Sequence, residues 1–574
     1  MKINLKRIAN VFSDVEFFMV CVFPQERPVI DKNFSGALHV WEDENCWIIT
    51  SRHEATGQTL HNDVNGTRIV FRGYEGEQCV HSYSPPEARL PLASPESLRN
   101  GVFSYLRYDP ARLEATIRTD AFGFSPLFMR QMGSSWLFAS HPALLHLSGD
   151  EPDMEAWASL MQTGHVLDDH SFYKDIQRFP AGNQMTLTQE GRHLETWFDF
   201  RTLPPGEKTI DDQAFVDVEK AYDNAMQRCI ALGDTYTLPL SSGFDSRRFF
   251  ATLVNRGLPF KAVTCQTFHR KNGRYYDIDA FFAPRIAEKF GVECEVISAS
   301  PADKMDDDAR HRQALIGTET LMHSWAVPLM KWLSRQPPSI VFDGLAGDTF
   351  GNSGYEIDGL HDSPERDVEL ILNEVARPLF FSNLSRRFPS IEQYRQSYRG
   401  YLNRFAPNLN QAEFAFLQAR TRRSISPWIT MMHPPGHVVV FPYCDMEFAL
   451  KTLEYQPQEK YRWFFQKECL KRFYPDYFDF PGSRNLPAGH PPLSEHESRA
   501  RDAAEETTVY GSWSIKFKSM QYLSWKNRFL LLASSILPVV KKRRNWLFSP
   551  LLSLVKTQAD AKPFIEEGFS SKGK

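Results

Sequence analysis

The chain has no paired cysteines, no long uncharged apolar run and almost no net charge, and each absence narrows what it can be. Its eight cysteines are Cys21, Cys46, Cys79, Cys229, Cys265, Cys294, Cys444 and Cys469. None forms a CxxC pair or matches zinc-site spacing, which argues against a zinc site and a disulfide framework and fits reduced cytosolic thiols. Nowhere does an uncharged apolar run reach about 18 residues, so no spanning helix is expected. The basic start is followed by an apolar patch, Val15 to Phe23, which Glu16 interrupts and no small-residue cleavage site follows. A secretory signal is therefore not expected, and the protein reads as cytoplasmic. A formal net charge of −4 gives no pull toward nucleic acid. No internal repeat is present.

What the chain does have is length and a core. Its 574 residues, 42% hydrophobic and 24% charged, suit two or three soluble domains. The first 200 residues hold short β-prone runs bounded by turn residues, such as Cys46–Thr50, Arg68–Phe71, Val102–Arg107, Ala115–Arg118 and Ser135–Ala139. A Pro-Pro-Gly linker lies within Arg201–Thr209. After Asp211 the pattern changes to helices alternating with short apolar strands. Strands are expected at Tyr236–Leu240, Phe260–Thr264, Glu293–Ser298 and Ser339–Phe342, with helices over about 212–232 and 279–290. Strands spaced this way predict a parallel, doubly wound sheet, whose ligands bind beyond the carboxyl ends of the strands. From about 365 to 480 the pattern reads as mostly helical. Near the end, the apolar runs Phe529–Val540 and Trp546–Leu554 flank the basic cluster Lys541–Arg544. That pattern reads first as a packed helical hairpin with a solvated basic turn, with a peripheral membrane contact as the alternative.

Two loops carry chemistry. Leu240-Ser-Ser-Gly-Phe-Asp-Ser246 joins a strand to a helix start, where Ser241, Ser242 and Gly243 offer backbone N–H groups to a phosphate. Ser246 adds a hydroxyl. Asp245 would repel phosphate unless a divalent cation lay between them, which assigns it to Mg²⁺. Ser-Ser-Gly with Asp-Ser is also good turn and N-cap chemistry. The second loop, Asp343-Gly-Leu-Ala-Gly-Asp348, follows another buried strand with glycines Gly344 and Gly347 and two carboxylates. Asp348 is placed to hold Mg²⁺ from the opposite side.

These segments resemble asparagine synthetases, β-lactam synthetases and lasso-peptide macrolactam synthetases. The loop at 241–246 looks like their Ser-Gly-Gly-x-Asp-Ser pyrophosphatase loop, and Asp343–Asp348 like their second pyrophosphate loop. The strand ending at Thr264 and Asp279-x-x-x-Ala283 resemble their nucleotide-binding strand and helix. Pro442-x-x-Asp445 and Lys467–Leu470 resemble later landmarks. Arg118-Thr-Asp120, Gly123–Leu127 and Phe138-Ala-Ser140 look like landmarks of their glutaminase domain. The resemblance implies an α+β nucleophile-hydrolase-like sandwich over 1–200. An α/β parallel-sheet ATP-pyrophosphatase domain of the adenine-nucleotide α-hydrolase type over 210–500 is implied next, with a helical C-terminal region and a basic, apolar tail over 501–574.

The departures are specific. Family glutaminases use a cysteine directly after the initiator methionine, and here that place is Lys2. Cys21 could serve only after cleavage behind Val20, and no Asn-Gly-Glu glutamine motif is present, so glutamine hydrolysis is expected to be absent. Leu345 stands where relatives carry Glu or Tyr, and Thr349 replaces an acid. The family's Arg-x-Lys segment has Arg484 as its nearest counterpart, a cation that is not interchangeable with lysine. The resemblance implies ATP and Mg²⁺ as cofactors, with Asp245, Asp348 and Arg484 as catalytic groups. It implies nucleotide contacts at Leu240, Ser241, Ser242, Gly243, Asp245, Ser246, Thr264, Asp343, Gly344 and Gly347. It also implies a small-molecule or peptide carboxylate as substrate, with free ammonia or a substrate amine as the partner. The rival expectation is a nucleotide-binding pseudoenzyme.

Overall fold

The computed structural model describes residues 2–25, 29–30, 38–271, 274–298, 327–352, 354–355, 357–361, 363–376, 381–461, 464–480, 492, 494–495, 498, 513–534 and 550–566. Its N-terminal part holds two antiparallel sheets. One runs in the order Gly191–Thr196, Asn183–Thr188, Glu114–Thr119, Gly101–Asp109, Thr67–Glu75 and His61–Val64, with Val80–His81 on the side of Thr67–Glu75. The other runs Gln177–Arg178, Phe128–Met132, Ser135–Ala139, Phe18–Val22, Cys46–Ser51 and Leu38–Glu42. Every residue of Phe18–Val22, Cys46–Ser51 and Ser135–Ala139 is buried. The centre of that sheet is therefore covered on both faces, and its strands read as near-continuous apolar runs.

The second part is built on a five-stranded sheet in the order Cys294–Ile297, Phe260–Cys265, Tyr236–Pro239, Ile340–Phe342 and Val438–Val440. All four pairings are parallel. In chain order the strands lie 3-2-1-4-5, so the order reverses between Tyr236–Pro239 and Ile340–Phe342. At such a switch point the connections leave on opposite faces and open a crevice beyond the strand ends. The strand Val438–Val440 lies in a stretch whose sequence reads as helical, because three consecutive valines carry no periodicity of their own. The helix Phe244–Asn255 buries Phe249, Phe250 and Leu253, while Val254 is only partly covered. Gly257 follows in the left-handed region at φ +63°, the usual device for ending a helix.

The two parts share one continuous apolar core. Their polar contacts include Tyr74 Oη on the carbonyl of Phe441 at 3.2 Å and Asn100 Nδ2 on Asp445 Oδ2 at 3.0 Å. Asp445 also accepts two bonds from Arg228, each 2.7 Å, while capping the helix Met446–Leu453. Its place among the landmark residues is thus a framework role. Strand Lys2–Ile3 pairs with Ile565–Glu566, tying the two ends of the described chain together.

Candidate functional site

The loops after Tyr236–Pro239 and Ile340–Phe342 meet in the switch-point crevice and wall a cavity of about 280 Å³. Leu240, Ser241, Asp245, Ser246, Thr264, Asp343, Gly344 and Asp348 line it, joined by the apolar Leu329, Ile425 and Ile429. Ser242, Gly243 and Gly347 are not on its wall. Arg484 lies outside the described residues.

Close packing holds the loops together. A β-carbon on Gly344 would stand 3.1 Å from Asp245 Cβ, and one on Gly347 would stand 2.7 Å from Asp245 Oδ1. Only glycine lets the second loop approach the first this closely. Asp245 sits in the first turn of the helix Phe244–Asn255, and its Oδ1 is shielded from solvent with no hydrogen-bond partner among the described residues. Burial holds its carboxyl well above the usual carboxylate range. The charges of Asp348 and Asp343 push the same way, against the pull of Arg248. Asp343 is pushed up to about 6 by burial, although its carboxylate accepts the N–H of Leu345 at 2.9 Å.

Among the described residues cations are scarce around these three acids. Arg247 is occupied by the carbonyls of Ser242 and Phe480 at 2.6 and 3.0 Å. Arg248 binds Glu219 and Gln466 and stacks on Tyr222. Among the described residues only Arg420 forms an ion pair with the cluster, 3.4 Å from Asp348 Oδ2. Arg420 belongs to a nine-residue π-helical stretch, Leu417–Ile425, a geometry that recurs at functional sites. That stretch is fastened to the sandwich by Arg422 on Asp169 at 2.8 Å and on the carbonyl of Phe179 at 2.9 Å. Thr349 joins it through Thr421 at 3.1 Å. No local pattern marks Arg420, because its partner lies 72 residues away.

The first loop departs from expectation. Its backbone donors do not point free into the crevice. Ser241 N–H donates to Ser246 Oγ at 3.0 Å, Ser242 N–H to Asp279 Oδ1 at 2.8 Å and Gly243 N–H to Ser241 Oγ at 3.1 Å. The short hydroxyls that suit a phosphate loop also suit self-bonding, and here they close on the loop. Asp279 gathers Ser242 Oγ and Thr267 Oγ1 as well, at 2.8 and 2.9 Å.

Fit to Mg²⁺ can be judged from the donors. Among the described residues no group of three or more His, Cys, Asp or Glu is arranged to hold a metal. Asp245 and Asp348 offer two carboxylates, one with an orphaned oxygen. Mg²⁺ is commonly held by one or two carboxylates plus phosphate oxygens, so the pair fits an ion that arrives with a polyphosphate.

A larger hollow of about 670 Å³ lies by the edge strands Gln177–Arg178 and Gly191–Thr196. Most of its charges are spent on neighbours: Asp168 on Arg404, Asp169 on Arg422 and His170 on Asp153. The smaller cavity has the uncompensated charge, and charge of that kind marks chemistry better than volume.

In the sandwich, Cys21 sits mid-strand, opposite Leu137 on one side and Trp47 on the other, and is fully buried. Burial pushes its thiol far up. Just before the strand, Glu16 binds Arg72 Nε at 2.9 Å and accepts the hydroxyl of Tyr83. Nothing about Cys21 resembles an accessible nucleophile.

Residues 96–198 match the family described as a glutamine amidotransferase domain, covering the strands from Gly101–Asp109 to Gly191–Thr196. Similar solved structures include the glutamine phosphoribosylpyrophosphate amidotransferase from B. subtilis complexed with ADP and GMP. It is 12% identical, with 59% of this chain and 78% of that chain covered, at a TM-score of 0.21. Another is described as the allosteric regulatory enzyme of purine biosynthesis, 13% identical over 53% of this chain and 73% of that chain, at a TM-score of 0.20. No curated protein matches the chain. Within the sandwich, residues 96–198 are therefore similar to a glutamine amidotransferase domain.

Proposed function

We propose that the switch-point crevice activates a carboxylate with ATP and joins it to an amine without hydrolysing glutamine. A carboxylate oxygen would bond to the α-phosphorus of ATP while the bond to the β-phosphate oxygen breaks, releasing pyrophosphate and leaving an acyl-adenylate. The amine nitrogen would then bond to the acyl carbon, AMP would leave, and the nitrogen would lose a proton. The observation that carries this reading is the orphaned Oδ1 of Asp245, facing two further carboxylates with Arg420 as counter-charge.

Asp245 and Asp348 are the residues that would hold Mg²⁺, which when bound would neutralise phosphate charge. The protein's own part is positioning. Thr264 and the backbone at Leu240 would seat the nucleoside, the loops would fix the polyphosphate, and Leu345, Ile425 and Ile429 would keep water from the acyl group. Leu345 is buried and supplies no acid or base, so the amine would have to arrive unprotonated or lose its proton to a group on the substrate.

The donors of Ser241, Ser242 and Gly243, already spent on Ser246, Asp279 and Ser241, favour a second reading, a nucleotide-binding regulator without turnover. Pyrophosphate release separates the two. The protein with Mg-ATP is screened against small carboxylates and peptides, and release that disappears in Asp245→Ala supports the ligase. Binding without release across the screen favours the regulator. Absence of nucleotide binding with Mg²⁺ present sinks both.

A further inference from the structure

One face of the helix Trp525–Ser534 is not explained by the fold. Trp525 is 82% exposed and Phe529 71% exposed, and they lie one helical turn apart on the same side. The opposite side is seated in the protein. Leu523, Asn527 and Leu531 are buried, Leu523 bridges to Leu384, and Ser524 N–H donates to the carbonyl of Asn383 at 3.1 Å. Asn527 Nδ2 donates to Asn383 Oδ1 at 2.5 Å. The helix is therefore fixed in roll, and the outward position of Trp525 and Phe529 is set by the packing beneath them. A soluble surface seldom presents two large aromatic rings side by side without a use for them.

The charge around the rings has one sign. Lys526 and Arg528 flank them on the helix and are exposed; on the preceding helix Trp513–Ser519, Lys518 is exposed and Phe517 is 62% exposed. Lys518, Lys526 and Arg528 form no ion pair among the described residues. From Trp513 to Lys556 the sequence carries nine Lys or Arg and no Asp or Glu. Aromatic rings flanked by lysine and arginine are the composition that settles at a lipid headgroup boundary. There the rings reach the acyl region and the cations meet anionic headgroups. A protein partner that buried the rings equally well would need acids of its own to match. Among the described residues no helix is long and apolar enough to cross a bilayer, so the contact would lie on the surface.

We propose that the face carrying Trp525 and Phe529, with Lys526 and Arg528 around it, docks on the surface of an anionic phospholipid bilayer. Docking there would bring the enzyme to carboxylate or amine substrates that are themselves held at a membrane.

The test is flotation of the full-length protein with two kinds of vesicle, phosphatidylcholine alone and phosphatidylcholine with about 30 mol% phosphatidylserine. The expected result is capture by the anionic vesicles only, weakened by salt because exposed charges are screened. Capture should fall at least about tenfold in Trp525→Ser/Phe529→Ser and in Lys526→Glu/Arg528→Glu. Both pairs are exposed, so the melting temperature should fall only slightly, through loss of the Arg528 Nε bond to the carbonyl of Leu523 at 3.1 Å. No capture by anionic vesicles, or equal capture of the aromatic double variant, overturns the proposal. So does a dimer in sedimentation that the double variant dissolves, which would assign the face to a second copy. Protection of Trp525 from a soluble quencher without vesicles would also overturn it, since another segment of the chain would already cover the face.

Discussion

Gly347 faces Asp245 so closely that a β-carbon at 347 would stand 2.7 Å from Asp245 Oδ1 and 2.8 Å from Tyr443 Cδ2. Both neighbours are held: Asp245 begins a helix, and Tyr443 is buried and stacked on Phe249. Gly347→Ala should therefore cost about 1–3 kcal/mol in a denaturant titration. It should weaken Mg-nucleotide binding by prising the loops apart. A variant with wild-type stability and affinity would show that the contact is slack.

The acid cluster makes a pH prediction. Asp343 keeps its proton to about pH 6 in the fold, against an ordinary value of 3.8. Between those values the folded protein binds more protons than the unfolded chain, so stability without metal falls as pH rises through that window. Asp245 acts in the same direction. Mg²⁺ competes with those protons, so its stabilising effect should grow with pH. Thermal melts at about pH 5 and about pH 7.5, with and without Mg²⁺, measure this, and Asp343→Asn should flatten the fall. A metal effect independent of pH would remove these carboxylates from the ion's site.

Arg420 is predicted to bind the polyphosphate. Arg420→Ala should lower affinity for Mg-pyrophosphate and Mg-ATP by roughly 10- to 100-fold in calorimetry, through loss of a charge-assisted contact. Arg420→Lys should recover only part of it, since the planar fork is gone. Unchanged affinity in the alanine variant would confine Arg420 to its pair with Asp348.

Glutamine should be inert. Incubation with the protein should release no glutamate above background, and a glutamine-analogue electrophile should leave Cys21 unlabelled. Cys21→Ala should change only stability, by about 1 kcal/mol. Labelling of Cys21 in the folded protein would contradict its place in mid-strand.

A buried ion pair supports the segment that leads to Arg420. Lys460 Nζ lies 2.8 and 2.6 Å from the two oxygens of Glu413, with both side chains sealed from water. Lys460→Met alone should cost about 3–5 kcal/mol by stranding a charge, and adding Glu413→Leu should recover most of it. A single variant as stable as the wild type would mean that water reaches Glu413.

Much of the framework was readable without coordinates. Runs such as Phe260–Thr264 and Ser135–Ala139 are apolar and bounded by turn residues, so their strands follow from local chemistry. Both acidic loops follow short apolar strands, and that placement was visible too. Val438–Val440 was not readable, since a three-residue strand is stabilised by the neighbour it pairs with rather than by its own pattern.

What the sequence by itself determined is therefore which local pieces exist: two glycine-bearing acidic loops at strand ends, and a β-rich first part. Local hydrogen bonding and side-chain period are enough for that. Only the tertiary structure decided that Tyr236–Pro239 and Ile340–Phe342 are neighbours, and so that Asp245 meets Asp343 and Asp348. It alone brought Arg420 to Asp348, occupied the donors of Ser241 and Gly243 within their own loop and that of Ser242 on Asp279, and left Trp525 and Phe529 facing outward. Each of these depends on strand order or on helix roll, which are settled by packing between segments far apart in the chain, where no local pattern reaches.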